Sequence, residues 1–96
     1  MAKGYWIARI SIREPERYAD YIKAARPAFE KYGARFIVRG GPYDAVEGTA
    51  RERNVVIEFA DLATARACYD SPEYQAAKAI RLAGTEGEII IIEGAE

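Results

Sequence analysis

The stretch that decides the fold is YWIARISI, which runs from Tyr5 to Ile12 and alternates apolar with mixed positions. A period of two is typical of a β-strand whose two faces meet different surroundings. We expect the more apolar set to face helices and the mixed set to face away from them. The two sets are Trp6, Ala8, Ile10 and Ile12 on one side and Tyr5, Ile7, Arg9 and Ser11 on the other.

A helix start follows this strand at once. Pro15 suits the first helical position, and the glutamates on both sides of it suit the positive end of the helix dipole. Apolar side chains then recur every three or four residues as far as Tyr32, which predicts one amphipathic helix. Because Pro27 removes a hydrogen bond inside it, we expect a kink or a break near residues 24–26.

The same order of elements repeats along the rest of the chain. Asp61 is a capping residue for one helix, and Ser71 followed by Pro72 starts another. The predicted elements after the first helix are strand two at 35–39, an extra short strand at 45–47, strand three at 54–59, helices at 62–69 and 72–82, a turn at 84–87 and strand four at 88–93. In strand two, Phe36 and Val38 are predicted to face the helices, and Arg35, Ile37 and Arg39 to face away.

Two strand–helix–strand units with right-handed crossovers predict an α+β fold, the ferredoxin-like βαββαβ plait. Its four-stranded antiparallel sheet has strands one and three at the centre and helices on one face only. The other face, here called the open face, is left bare. We expect residues 1–96 to form one domain of this kind, because 96 residues suffice for a single core.

Composition excludes several partners. Fourteen Lys and Arg against 15 Asp and Glu leave a net charge of −1, which predicts no nucleic-acid partner. The longest apolar run, Ile89 to Ile92, is too short for a bilayer, and no signal peptide is apparent. With Cys68 as the only cysteine, we expect a cytoplasmic protein. The chain has no histidine, so neither a metal nor a cofactor is predicted.

Several short stretches together are similar to one known family. They are residues 3–7 (KGYWI), 15–18 (PERY) with Tyr21, 33–41 (GARFIVRGG), 47–48 (EG), 53–59 (RNVVIEF) and 71–75 (SPEYQ). In this order and at these spacings they resemble the DUF1330 family over nearly the whole chain.

The resemblance implies a small bacterial protein of the dimeric α+β barrel type. In that architecture two open sheet faces meet and enclose a cavity, so the partner is a second copy of the chain. The family has no established reaction, so no residue role is carried over from it. Proteins of similar architecture include cofactor-independent oxygenases, lactone-forming and dehalogenating enzymes and haem degraders, and others only bind.

Strand alternation predicts a charged group on the open face. Tyr5 and Arg9 of strand one, Arg39 of strand two and Glu58 of strand three all fall there, on three adjacent strands. One interpretation is a pocket for a small anionic ligand, in which the guanidinium groups hold a carboxylate and Glu58 is the base. The other is cross-strand ion pairing at a dimer interface, or a solvated surface.

Three further residues, Glu47, Tyr18 and Tyr74, have two interpretations each, and Cys68 has one. Glu47 lies with Arg51 and Arg53 on the connection before strand three, where it is either a second candidate base or solvated. Tyr18 and Tyr74 have apolar helical spacing and are either pocket residues or core residues. Cys68 is interpreted as a buried structural thiol, since no histidine is present to activate it.

Two hypotheses about function follow. The first is a homodimer with a small-molecule cavity between the open faces, acting as a cofactor-independent enzyme on a carboxylate-bearing compound. Glu58 or Glu47 would be its base, and Arg9 or Arg39 would hold the anion. The second is a non-catalytic ligand-binding or structural dimer.

Overall fold

The β-sheet of this protein carries its helices on one face. The computed structural model describes residues 2–95. In chain order the elements are β1 (Gly4–Ile12), α1 (Pro15–Lys31), β2 (Arg35–Arg39), β3 (Arg53–Phe59), α2 (Leu62–Asp70), α3 (Pro72–Gly84) and β4 (Thr85–Glu93).

The four strands are antiparallel and lie in the order β2-β3-β1-β4. β1 and β3 are central, as the repeated strand–helix–strand pattern predicts, and the ferredoxin-like α+β fold is confirmed. Trp6 of β1 is paired with Ile57 of β3 and Ile91 of β4, so the three side chains point to the same face.

The core lies between this face and the helices, and Trp6 is at its centre. The Trp6 ring packs against Phe29 of α1, Phe59 of β3 and Tyr74 of α3, at centroid distances of 5.4, 5.5 and 4.8 Å. Its indole N–H donates to the carbonyl oxygen of Ala65 in α2 at 2.8 Å. One side chain therefore joins the sheet to all three helices, and its only polar atom is satisfied.

Helix α1 continues without a break through Pro27. Of the two alternatives predicted near residues 24–26, a kink or a break, the break is therefore wrong. Ala25 and Ala28, on either side of the proline, are both fully buried, whereas Pro27 itself is exposed. Tertiary packing of the buried face thus holds the helix together where the proline removes one hydrogen bond.

Two other predictions near connections are wrong. Residues 40–52 contain no strand, so the predicted extra strand at 45–47 is absent. No turn occupies residues 84–87, because α3 ends at Gly84 and β4 begins at Thr85. Gly87 lies within β4, where a Cβ would overlap the carbonyl oxygen of Arg9. Because glycine has no side chain, β4 can lie close to the backbone of β1 at this position. Gly87 is therefore a strand residue and not a turn residue.

A β-bulge in β2 changes which way its last residues point. Phe36 is paired with Ile57, but Val38 is paired with Val56, so Ile37 is an extra residue with no partner of its own. After the bulge, Val38 shares the open face with Val56, and Arg39 pairs with Val55 on the helix side. The predicted orientations of Val38 and Arg39 are therefore wrong. Bulges are frequent in edge strands such as β2.

The structure contains no helix within residues 2–95 that is long and apolar enough to cross a membrane.

Gly4 gives a test of how tightly the first strand is packed. A Cβ at this position would lie 2.7 Å from the Cα of Leu62 and would overlap the backbone of Asp61, which cannot move without shifting the start of α2. We expect Gly4→Ala to lower the free energy of unfolding by about 3 kcal/mol, as overpacking against backbone does. Urea denaturation followed by circular dichroism measures it.

Gly41→Ala is the matched control, since a Cβ there meets nothing within 4 Å. It should change the free energy of unfolding by no more than about 0.5 kcal/mol. Equal stability of the two variants would contradict the packing of Gly4 against Asp61 and Leu62 at the start of α2.

Candidate functional site

A cavity of about 290 Å³ lies between α1 and the helix-facing side of the sheet. Most of its wall is apolar, because alternation along β1 and β3 turns one buried set of side chains toward it. The sheet contributes Trp6, Ala8, Ile10, Phe36, Val55, Ile57 and Ile89, and α1 contributes Tyr18, Tyr21, Ile22 and Phe29, with Ala34 following the helix.

The remaining side chains that line the cavity are charged. They are three arginines, Arg26, Arg39 and Arg53, and one acid, Glu30. In the part of the chain that the structure describes, none of these arginines has a carboxylate oxygen within 4.0 Å. Three positive charges and one negative charge therefore line an apolar cavity, and among the described residues none of the arginines is in an ion pair, which favours an anion there.

Arg53 is held in place by its neighbours. Its Nε donates to the hydroxyl of Tyr18 at 2.9 Å, and its Cζ lies 5.3 Å from the centre of that ring. Gly40 makes room for it, since a Cβ at Gly40 would lie 2.6 Å from Nη1 of Arg53. Gly40 also has φ +64°, a conformation that glycine adopts without strain.

Arg39 reaches the same cavity because of the bulge at Ile37. Its Cζ lies 4.1 Å from the ring centre of Phe36, in a cation–π contact. The structure therefore brings together two residues predicted as ligand-binding candidates, Arg39 and Tyr18. Arg39 was expected on the open face, and it lies on the helix side of the sheet.

A buried polar cluster lies behind the cavity. The hydroxyl of Tyr21 is 2.9 Å from that of Tyr74, which is fully buried. The side chain of Arg81, only 6% exposed, lies beside them with its Cζ 5.7 Å from the centre of the Tyr21 ring. Burial raises the pKa of Tyr21 well above its usual value and raises that of Tyr74, although Arg81 acts to lower both, so both tyrosines stay neutral.

Arg81 is an unusual residue to bury. Its Nε has no hydrogen-bond partner, and among residues 2–95 no carboxylate lies within 4.0 Å of it. Its position in the last turn of α3 gives a helix-dipole stabilisation of at most about 2 kcal/mol. Burying an ion in a protein costs several kcal/mol. The helix dipole therefore offsets only part of the free-energy cost of burying the Arg81 charge.

The open face has a different character. Val38, Val56, Ile7 and Ile90 are direct neighbours across all four strands and form what we call the apolar row. Val38 and Ile90, at the two ends of the row, are 44% and 51% exposed, and Val56 and Ile7 between them are partly buried. β-branched side chains in such a row present a flat apolar surface.

The charged groups beside the apolar row form two separate sets of pairs, one on each side of the row. The Tyr5 hydroxyl donates to Glu58 at 3.2 Å, and Arg35 lies 3.9 Å from the same carboxylate. Arg51 donates to both oxygens of Glu88, at 2.8 and 2.6 Å, and this hydrogen bonding lowers the pKa of Glu88. The connection 40–52 is thereby fastened to β4.

The predicted group of Arg9, Glu58 and Arg39 does not form. Arg9 is opposite Asn54 and Glu88, whereas Glu58 is opposite Tyr5, so Arg9 and Glu58 lie on opposite sides of the apolar row. Arg39 is on the other face altogether. Of the other candidates, Glu47 is exposed on the connection 40–52, and Tyr74 is buried behind the cavity.

Three cavity residues and one residue behind them were missed. Arg53 had a detectable signal, because it has the same parity as the buried Val55, Ile57 and Phe59 and so falls on the helix side of β3. Tyr21 falls on the apolar face of α1, and Arg26 and Arg81 are single charges on amphipathic helices. Nothing in the local sequence distinguishes those two from solvated arginines.

Comparison with known proteins gives a family and a fold. The sequence profile of DUF1330, described as a domain of unknown function, matches residues 3–95. No curated protein matches the chain significantly.

Three solved structures of similar fold are relevant. A protein of unknown function from Rhodopseudomonas palustris has a TM-score of 0.81 at 17% identity, covering 99% of this chain and 84% of its own. A dimeric ferredoxin-like protein of unknown function from Jannaschia sp. CCS1 has a TM-score of 0.69 at 15% identity, covering 98% and 99%. SnoaB, a cofactor-independent oxygenase from Streptomyces nogalater, has a TM-score of 0.66 at 10% identity, covering 100% and 96%. At these identities the likeness shows the fold alone.

Cys68 should be unreactive in the folded protein. Its side chain is fully buried, and burial together with the nearby Glu73 raises the pKa of its thiol to about 12. At pH 8 we expect Ellman's reagent to label native protein about a thousandfold more slowly than protein in guanidinium, where the thiol pKa returns to about 8.5.

The same shift predicts a pH dependence of stability. Above about pH 8.5 the unfolded state loses the thiol proton while the folded state keeps it, so the free energy of unfolding should fall as pH rises toward 12. Cys68→Ala is the comparison that isolates this contribution. Rapid stoichiometric labelling of the native protein would contradict the buried thiol.

Proposed function

This chain belongs to the DUF1330 family, and we propose that it binds a small carboxylate with an apolar body in the cavity between α1 and the sheet. The observation that carries the proposal is the presence at this apolar cavity of three guanidinium groups, those of Arg26, Arg39 and Arg53, which have no carboxylate oxygen within 4.0 Å among residues 2–95. A guanidinium fork matches a carboxylate in geometry and in charge.

The size and lining of the cavity restrict the ligand. A volume of about 290 Å³ is at the lower end of the range for ligand sites, so the ligand is small. The wall is made largely of aliphatic and aromatic side chains, with Trp6 and Phe36 among them, and this favours an apolar or aromatic body. The arginines hold the charged end and fix its orientation.

Binding is better supported than catalysis by the acids first considered. Neither Glu58 nor Glu47 lines the cavity, and Glu30 is the only carboxylate among the lining residues that the structure describes. A cofactor-independent reaction on the bound compound is the second candidate function. It is favoured by the hydroxyl-bearing side chains of Tyr18 and Tyr21 in the cavity wall, and it agrees with the name of one protein of similar fold, SnoaB.

A homodimer joined through the open faces completes the proposal. The chain is a slab 35 × 33 × 17 Å across, with helices on one side of the sheet only, so the apolar row is exposed. A second copy matches this row with an identical one, and the paired charges beside it cost little to bring together. Similar folds are described as dimeric. In this arrangement each protomer keeps its own cavity, and the ligand does not lie between the sheets.

The ligand proposal is tested with 2-naphthoate and its uncharged analogue 2-naphthylmethanol. We expect isothermal titration to show that the carboxylate binds at least about tenfold more tightly than the alcohol. Arg53→Met and Arg39→Met should each weaken 2-naphthoate binding about tenfold, as loss of a charge-assisted hydrogen bond does.

Arg35→Met, on the open face, is the matched control and should leave binding of 2-naphthoate unchanged. Equal affinity for the carboxylate and the alcohol, or an equal loss in the Arg35 and Arg53 variants, would refute the arginine-lined site.

The dimer is tested at the apolar row. Ile90→Lys places a charge in its exposed part, and desolvating that charge against an apolar partner is unfavourable. We expect this variant to be a monomer at micromolar concentration by light scattering, with the wild type a dimer. Leu82→Lys is the control, because Leu82 is 58% exposed on α3 and should leave the dimer intact. A monomeric wild type would overturn the proposed assembly.

A further inference from the structure

We propose that Ala8 determines the length of the ligand that the cavity accepts. The ligand is then an elongated carboxylate, whose apolar body extends from the arginines across the sheet to this residue. The inference rests on the proposed function and narrows its ligand class. A compound of the same size whose body lies beside the carboxylate is a poorer ligand.

The pairing of the strands places four cavity residues in one line across the sheet, which we call the floor row. β2 contributes Arg39, β3 contributes Val55, β1 contributes Ala8 and β4 contributes Ile89, each paired with the next. Residues directly opposite one another on antiparallel strands point to the same face, and all four line the cavity. The floor row therefore runs from a charged end at β2 to an apolar end at β4.

Ala8 is the smallest side chain of the floor row, and larger side chains surround it. Val55 and Ile89 lie beside it on the neighbouring strands, and Trp6 and Ile10 are the next residues of β1 on the same face. All four also line the cavity. Trp6 and Ile10 are almost completely buried, so packing fixes their positions. A single methyl group among four larger side chains leaves a depression in the floor of the cavity.

The depression lies at a distance from the guanidinium groups. Arg39 is at the β2 end of the floor row, and Nη1 of Arg53 lies close to Gly40, directly after β2. Two strand spacings, about 10 Å, separate the backbone of Arg39 from that of Ala8, with Val55 between them. A carboxylate held by the arginines therefore reaches the depression only with a body that extends directly away from its charged end.

The surroundings of the depression restrict the far end of the ligand. Three of the four side chains around it are aliphatic, and the fourth, Trp6, already donates its indole N–H to the carbonyl oxygen of Ala65. A charged group placed there would lose its hydration and gain no hydrogen bond in return. The ligand therefore carries its charge at one end only.

The test compares 2-naphthoate with its isomer 1-naphthoate, which has the same atoms and the same charge. The second ring extends away from the carboxylate in 2-naphthoate and lies beside it in 1-naphthoate. Isothermal titration with the wild type should show 2-naphthoate binding at least about tenfold more tightly, because small differences in how an apolar group fills a pocket have effects of this size.

A graded series at residue 8 tests whether Ala8 causes this preference. Ala8→Val fills the depression and should bind the two isomers equally, with an affinity for 1-naphthoate within about twofold of the wild type. Ala8→Cys, with a side chain smaller than valine, should give an intermediate preference, and Ala8→Gly should keep or increase it. Cysteine and glycine alter the packing less than valine, so the series gives an answer even if Ala8→Val does not fold.

Ile7→Val is the matched control. Ile7 precedes Ala8 in β1 and faces away from the cavity, so this variant should keep the preference of the wild type. A preference that stays constant from glycine to valine at residue 8 would overturn the role of Ala8. So would an equal loss of affinity for both isomers along the series, since that result indicates a general change in packing.

The outcomes separate this inference from the proposal beneath it. If neither naphthoate binds the wild type, the proposed function is wrong and the inference is wrong with it. If 2-naphthoate binds through the arginines but the wild type does not distinguish the two isomers, the role of Ala8 is wrong and the arginine site stands.

Discussion

The pleat of the sheet is the constraint on which the rest of this structure depends. Because successive side chains of a strand point to opposite faces, β1 and β3 each present apolar residues on both sides. Trp6, with Ile57 opposite it, faces the helices, and Ile7, with Val56 opposite it, faces away. The chain has helices enough to cover one of these surfaces, so the core, the cavity and the bare face all follow from the same alternation.

The bulge in β2 is a departure from that alternation, and it places one of the positive charges at the cavity. The extra residue Ile37 turns the end of β2 over, so that Val38 joins the apolar row and Arg39 joins the cavity. In a regular strand the two would be exchanged, with a valine at the cavity and an arginine beside Val56 on the open face. The bulge therefore makes the open face more apolar and the cavity more positive at the same time.

The features that the sequence could predict are set by interactions between residues close in the chain, and the features that it could not predict depend on tertiary contacts. The alternation of β1, the proline at the start of α1 and the caps at Asp61 and Ser71 act within a few residues, and the elements they define are present. The bulge at Ile37 depends on how β2 meets β3, which no local pattern records. The role of Arg53 was readable from its parity with Val55, whereas the isolation of Arg81 from every described carboxylate needs the packed structure.

The distribution of acids explains why a nearly neutral chain has more positive than negative side chains at its cavity. On the open face and its flanks, Glu58, Glu86 and Glu88 are each paired with arginines, so that surface is close to electrical balance. The arginines at the cavity, and Arg81 behind it, have no such partners among residues 2–95. A balanced face suits association with an identical copy, since desolvating paired charges costs less than desolvating free ones. An unbalanced cavity suits an anion, because only a molecule from outside can supply the missing negative charge. The net charge of −1 is a sum over the whole chain, and it does not show the difference between these two regions.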